Sequence, residues 1–288
     1  MFDVIVCGSL HLDIMLYVPH LPRPDETVPG HRWDQQCGGK GGNQAVAAAR
    51  AGARTAMIGR VGDDDFGVRL RAHLDAAGVD ASAVAIDRDA GSGISAAIVQ
   101  DDGDYGAVIV SGANLNIEPA RLGDIWRALG GGRVLVLQNE IPEAANIAAA
   151  TAAREAGARV ILNAAPVRAM TPALLDRVDL LIVNRIEAAM LAGCDDPLAA
   201  LPRLVAPGRA AIVTLGGEGL VLQEAGAAPV FIAPHRVAVV STHGAGDCFV
   251  GALAARLARG DSLHAAAQAA NFAAARHVAA LAWRPDMT

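Results

Sequence analysis

Hydrophobic and polar positions along this chain come in blocks that switch character several times. The chain opens on FDVIVCGS, a continuous apolar run closed by Gly8 and Ser9, the pattern of a strand buried on both faces of a parallel sheet. From Ile14 to Gln36 the pattern breaks. Pro19, Pro22, Pro24, Pro29 and Gly30 separate short extended stretches such as MLYV and TVPGHRW, too interrupted for helix and too small for a core of their own. Further on, SGISAAIVQDDGDYGAVIVSG reads as strand, Asp-Gly turn and strand, a hairpin. These two segments, about 14–36 and 93–111, are expected to form a small sheet over the main body, a lid and an oligomer contact being compatible readings of it.

Elsewhere helix-like and strand-like runs alternate. The spacing predicts helix over Gln44–Ala51, strand over Arg54–Arg60, helix over Phe66–Ala77, strand over Arg133–Gln138 and helix over Glu143–Ala156. Strands are expected over Arg159–Asn163, Asp179–Val183 and Ala210–Thr214 with helices between them. VAVV (Val237–Val240) reads as a last strand, and long Ala-rich helices follow Asp247. This βα rhythm, without internal repeat or low-complexity linker, predicts one α/β domain over 1–288. Its sheet would be doubly wound and mostly parallel with helices on both faces, and the small β-sheet lid would be inserted into it. Ligands of such folds gather at the carboxyl ends of the strands. The polar residues expected there are Ser9 and Asp13, Gln138 and Glu140, Asn163, Asn184 and Glu187, Thr214 and Gly216, and Asp247.

Composition narrows the class. With 288 residues, 53% of them hydrophobic and 19% charged, the chain can bury a large core. The net charge is −6 and the 24 basic residues form no run, which argues against a nucleic-acid surface. Cys7, Cys37, Cys194 and Cys248 show neither CxxC pairing nor metal spacing, so reduced thiols and a cytoplasmic location are expected. Asp3 stands where a secretion signal would be basic, and no apolar run reaches membrane-spanning length, so no membrane partner is expected. Among the basic residues only Lys40 is lysine. It sits in CGGKGGN, where a compact ammonium differs in reach from a planar guanidinium, and a ligand-facing role follows.

The chemistry concentrates in STHGAGDCFVGAL. Gly244, Ala245 and Gly246 bend the chain into a helix start whose amides suit an anion, and Asp247 beside them would repel a phosphate unless it takes a proton from an attacking hydroxyl. The structural alternative is that Asp247 merely caps the helix. No Walker A loop is present, because Lys40 is followed by Gly41 and Gly42, and no GxGxxG follows the first strand. Protein-kinase motifs and GxSxG are also missing.

Three segments together, GGKGGNQAVAAARAGA, VNRIEA and STHGAGDCFVGAL, identify the chain as resembling the ribokinase-like sugar kinase family, also called the PfkB family, over almost its whole length. The resemblance implies an enzyme that uses ATP and Mg²⁺ to phosphorylate a hydroxyl of a sugar or nucleoside. It implies Asp247 as catalytic base, with the Gly244, Ala245 and Gly246 amides as the anion hole. Asp13, Gly39, Lys40, Asn43 and Glu140 match positions that hold sugar hydroxyls. Asn184 and Glu187 match the NxxE motif that positions magnesium through water, Thr214, Gly216 and Gly219 match the nucleotide loop, and Asn271 lies where the adenine pocket is built. Taken singly, Glu187 could be an ordinary helix residue, Asn184 a cap and Thr214 a strand end.

Two positions depart from the pattern. His11 stands where the ribokinase type has an asparagine that touches the sugar, so His11 joins the expected substrate site and the pentose specificity stays open. Ser241 stands where potassium-activated members carry aspartate, and the chain ends soon after Trp283 without the usual C-terminal segment, so weak or absent potassium dependence is expected. The leading expectation is transfer to a primary hydroxyl of a pentose such as ribose, by a homodimer formed through the lid. A nucleoside kinase of pseudouridine or adenosine type, with Trp33, Met15 and Tyr17 against the base, is the alternative. A non-catalytic sugar-binding protein of the same fold is a third.

Overall fold

The computed structural model describes residues 1–102 and 104–279. Gly103 of the expected Asp-Gly turn and Trp283 therefore lie outside the described residues. Thirteen strands and nine α-helices are described. The main sheet contains β1 (Phe2–Cys7), β4 (Thr55–Gly62), β5 (Val79–Asp87), β8 (Gly132–Gln138), β9 (Arg159–Asn163), β10 (Leu180–Asn184), β11 (Ala210–Thr214), β12 (Leu220–Gln223) and β13 (Val230–Ile232). Their order is β13-β12-β11-β10-β9-β8-β1-β4-β5. Pairings from β5 through β11 are parallel, and β12 and β13 add an antiparallel edge. From β1 the chain first builds outward through β4 and β5 and later returns to β8 on the other side. The crevice beyond the carboxyl ends of β1 and β8 is therefore the switch point where such sheets bind ligands.

Alternation along β1 shows why both faces are covered. Val4 and Val6 enter one core with α1 (Lys40–Arg50), α8 (Ala245–Ala258) and α9 (Leu263–Ala279), whereas Ile5 and Cys7 enter the other. The second core holds α3 (Leu122–Ala128), α4 (Glu143–Glu155), α6 (Arg185–Ala192) and α7 (Pro197–Leu204). Cys7 has no exposure, and burial pushes its thiol up to about 12. All four cysteines are free. Among the described residues, no helix is long and apolar enough to cross a membrane.

A separate four-stranded sheet has the order β3-β2-β6-β7, from β2 (His11–Val18), β3 (Arg32–Gly38), β6 (Gly93–Gln100) and β7 (Tyr105–Val110). Its central pair β2–β6 is parallel and its outer pairs are antiparallel. His11, Asp13, Met15 and Tyr17 share one face, and Leu12, Ile14, Leu16 and, across the pair, Trp33 share the other.

Two sequence expectations are corrected. VAVV is not a strand: Val237, Val239 and Val240 are exposed, and the Val240 amide bonds to the carbonyl of Val278 at the end of α9 at 2.8 Å, with no strand beside it among the described residues. The first helix begins at Lys40, four residues before Gln44. Glycines weaken a helix in solution, but here its early amides are satisfied from outside, by the Ser9 carbonyl to Gly42 at 3.0 Å and by Glu140 to Lys40 at 3.0 Å.

Candidate active site

Three helix starts and strand ends meet at the switch point. β1 runs directly into Gly8, Ser9 and Leu10 and then into β2, so His11 and Asp13 are carried out over the carboxyl ends of the main sheet. Gly39, at φ 84°, lets α1 begin against that crossing: an added Cβ there would stand 2.7 Å from the His11 amide nitrogen and 2.9 Å from the Ser9 carbonyl oxygen. Glu140, just after β8, closes the corner. Its Oε2 accepts from the Ser9 hydroxyl and from the Lys40 amide.

Asp247 lies in the first turn of α8, behind Gly244, whose φ of 71° makes it the left-handed cap. Its side chain is almost wholly buried, at 8% exposure. Asn43 Nδ2 donates to Oδ2 at 3.2 Å and Gln44 Nε2 donates to Oδ1 at 2.9 Å. Burial raises the Asp247 pKa, the Lys40 charge and the Gln44 and Asn43 bonds oppose that rise, and Glu140 adds to it. The two amide donors favour the ionised form against that burial, and among the described residues the side chain makes no cap bond to the helix amides. The Ala245 amide donates to the Thr242 carbonyl at 3.2 Å. Among the described residues the Gly244 and Gly246 amides have no partner, whereas the Ala245 amide is engaged in this turn. A Cβ added at Gly246 would meet nothing within 4 Å, so there is room at Gly246, whereas one on Gly244 would stand 3.3 Å from His277 Nε2.

Asp13 faces this centre. Burial pushes its carboxyl up to about 6, with His243 lowering it and Glu140 and Asp247 raising it further. His11 is 3% exposed, its Nδ1 is 3.9 Å from Glu140 Oε2, and its Nε2 is buried without a partner. Burial lowers the His11 pKa against the pull of Glu140. The ring edge packs where a Cβ on Gly93 would come within 2.3 Å of it, so His11 stands behind Glu140 and against β6.

Asn184 and Glu187 form a capping box on α6: the Asn184 side chain accepts from the Glu187 amide at 2.8 Å, and Glu187 Oε2 accepts from the Asn184 amide at 2.8 Å. The capping role read from sequence is thus present, and among the described residues Glu187 Oε1 has no hydrogen-bond partner. Desolvation raises the Glu187 pKa first, the Asn184 amide and Lys40 lower it, and Asp247 raises it, so its charge belongs to the same site. Thr214 pairs with Asn184 at the strand ends, and its hydroxyl lies 3.4 Å from the Val183 carbonyl. Gly216 opens the following turn, where a Cβ would meet nothing within 4 Å. Gly219 packs so closely that a Cβ would fall 2.2 Å from the Ile232 carbonyl oxygen. Asn271 on α9 donates to the Ala233 carbonyl at 2.8 Å, next to Phe272, which meets His235 edge-on at 5.1 Å. Gly219 and Asn271 thus both abut the segment after β13, and neither touches Asp247. Ser241 accepts from the His243 amide at 3.2 Å.

Sequence reasoning missed Gln44, although it placed its partners Gln138 and Asn163 at the strand ends. Its signal was a single polar side chain on the inner face of an Ala/Val helix, directly after Asn43. Among the described residues, no three His, Cys, Asp or Glu side chains gather as a metal cluster.

The sequence model of the pfkB family carbohydrate kinases matches residues 1–281. Mouse ribokinase is 36% identical over 263 residues, covering 88% of this chain and 81% of the mouse protein. Ribokinase of Bacillus subtilis is 34% identical over 281 residues, covering 96% of this chain and 93% of that protein. The structure of Arabidopsis thaliana ribokinase complexed with ribose and ATP superposes with a TM-score of 0.88 at 30% identity, covering 96% of this chain and 92% of that one.

Proposed function

This chain belongs to the pfkB family of carbohydrate kinases, enzymes that transfer a phosphoryl group to a sugar hydroxyl, and from that premise we propose that it phosphorylates the primary hydroxyl of a pentose, ribose first, with ATP as donor. The observation that carries this reading is Asp247: a buried carboxylate gripped by two amides, beside the Gly244 and Gly246 amides, which have no partner among the described residues. Asp247 takes the proton of the attacking hydroxyl as its oxygen bonds to the γ-phosphorus and the bond to the bridging oxygen of the departing ADP breaks. The Gly244 and Gly246 amides and the α8 dipole face the charge on the transferred group. Asp13, Asn43, Lys40 and Glu140 supply acceptors and donors for a polyol, each of whose buried hydroxyls needs a partner.

The open turns at Gly216 and Gly246 fit a nucleotide, with Thr214, Gly219 and Asn271 along its path. Glu187, whose Oε1 has no hydrogen-bond partner among the described residues, and Asn184 fit a Mg²⁺ that keeps its waters, and this ion would neutralise phosphate charge. Four free thiols agree with a cytoplasmic enzyme. The apolar outer face of the small sheet, with Leu16, Trp33, Val108 and Val110 exposed, supports pairing of two copies through it.

A nucleoside is the second reading, since Met15 and Tyr17 share the Asp13 face. Trp33 does not serve it, because it stands on the opposite face beside Leu16. An ATP-consumption screen over pentoses, hexoses and nucleosides, run with wild type and Asp247→Asn, tests the proposal. Ribose should lead, and the variant should lose about 100- to 10,000-fold in kcat with ATP binding retained. Equal activity in the variant would sink the mechanism, and a nucleoside in first place would replace the substrate.

A further inference from the structure

Behind Asp247 lies a line of side-chain amides that the reading above does not use. Gln44 has no exposure and makes three hydrogen bonds. Its Nε2 donates to Asp247 Oδ1 at 2.9 Å and to Asn163 Oδ1 at 3.0 Å, and its Oε1 accepts from Gln138 Nε2 at 2.8 Å. Each neighbour is tied to main chain in turn. Asn163 Nδ2 donates to the Ile182 carbonyl at 3.2 Å, and the Gln138 carbonyl accepts from Asn146 Nδ2 at 2.8 Å. The line therefore begins on three adjacent strands, β8, β9 and β10, and ends on one carboxylate oxygen. If the Gln44 amide were turned over, its oxygen would face the acceptors of Asn163 and Asp247 together, so one orientation is enforced.

We propose that Gln44 is a positioning residue for phosphoryl transfer: locked by Asn163 and Gln138, its amide holds Oδ1 of Asp247 and sets the direction of Oδ2, which accepts from Asn43 and keeps a further lone pair for the sugar hydroxyl. This rests on Asp247 being the base. Two consequences follow. A carboxylate with one oxygen fixed presents the other in a single direction, which is what in-line attack needs. The Gln44 bond also favours the ionised form inside a dry site, so its loss raises the pH needed to deprotonate the base. The other groups that face Asp247 are Lys40 from α1, Glu140 after β8, Asp13 from β2, Glu187 from α6 and the adjoining Cys248, with His243 acting on Asp13. Among the described residues none of these groups hydrogen-bonds to the Gln44 side chain.

The test is the pH–rate profile of full-length Gln44→Met, which keeps bulk and removes the donors. At neutral pH kcat should fall about tenfold or more while the KM for ATP stays within about twofold, and the acidic limb of kcat should move upward by about one pH unit. The position of that limb does not depend on how much of the protein is active. A lower kcat with an unmoved limb would overturn the proposal and leave Gln44 a packing residue, and an unchanged kcat would do the same. If Gln44→Met does not fold, Asn163→Ser, which removes the acceptor that fixes the amide, must move the limb in the same direction, and an unmoved limb there counts against the proposal. Asp247→Asn run alongside separates the two readings. Full activity in it would remove the base itself, whereas an inactive Asp247→Asn beside an unmoved Gln44→Met limb would remove only the role of Gln44.

Discussion

At Asp13, burial and function pull in opposite directions. Its carboxyl is pushed up to about 6 from a usual 3.8, mainly by burial. A raised acid pKa means that the folded enzyme prefers the protonated form, so Asp13 weakens the fold progressively as pH climbs from about 4 to 6, with no further change above. A sugar hydroxyl needs the opposite state, a carboxylate that accepts. The KM for the sugar should therefore rise as pH falls below about 6, while an Asp13→Asn enzyme should show a high KM with little pH dependence in that range. Steady-state kinetics between pH 5 and 8 measure this, and a flat wild-type profile would exclude Asp13 from the sugar site. Lys40 presents a second residue-scale case. Its charge acts on both Asp247 and Glu187, between the sugar-side carboxylate and the expected phosphate side. Lys40→Arg should raise the KM of the sugar more than that of ATP, since a fork of donors does not replace a point charge in a fitted pocket. The reverse ranking would move Lys40 to the nucleotide. Lys40 was conspicuous in the sequence as the lone lysine. The packing of His11 behind Glu140 was not, because it depends on Gly93 of β6, eighty-two positions away.

Between elements, the crossing of α1 and α8 decides where Asp247 stands. Asp247 and Gly251 lie one turn apart on α8, and Gln44 and Ala48 lie one turn apart on α1, so the two pairs face each other. A Cβ on Gly251 would come 2.5 Å from the Ala47 Cβ and 2.7 Å from the Ala48 nitrogen. The helices meet there nearly backbone to backbone, and that closeness lets a short aspartate reach Gln44. Backbone atoms cannot turn aside, so Gly251→Ala should push the helices apart and destabilise by about 1–3 kcal/mol. It should also lower kcat, since Asp247 and Gln44 would separate. Thermal unfolding and kcat measured on the same preparation test both effects, and an unchanged melting temperature would contradict the packing described. Legibility at this scale was uneven. β9 and β11 stand where apolar runs bounded by turn residues put them, and β1 matches its opening run. The start of α1 within GGKGGN and the loss of VAVV as a strand both turn on distant partners, Ser9 and Glu140 in one case and the end of α9 in the other.

In the whole molecule, the small sheet grows out of the large one through the short link from β1 to β2, and its two faces differ. The face with His11 and Asp13 looks over the switch point. The base of the other face packs toward α2 (Asp65–Ala76), where the Cys37 thiol lies 3.8 Å from the Arg69 carbonyl, and its outer part leaves Leu16, Trp33, Val108 and Val110 in solvent. If two copies pair through that apolar surface, Trp33→Glu should shift the protein toward monomer in sedimentation velocity at micromolar concentration. A wild-type monomer at the same concentration would remove the pairing. The sequence by itself determined the α/β rhythm, the existence of the second sheet and the three motifs of the family, because strand burial, turn residues and glycine-rich helix starts are written in local periodicity. Only the tertiary structure decided which residue holds each oxygen of Asp247, and that Trp33 faces away from Asp13. Those facts depend on contacts such as Gln44 with Asn163 and Gly251 with Ala47, whose partners lie over a hundred residues apart, and no local pattern encodes a distance of that kind.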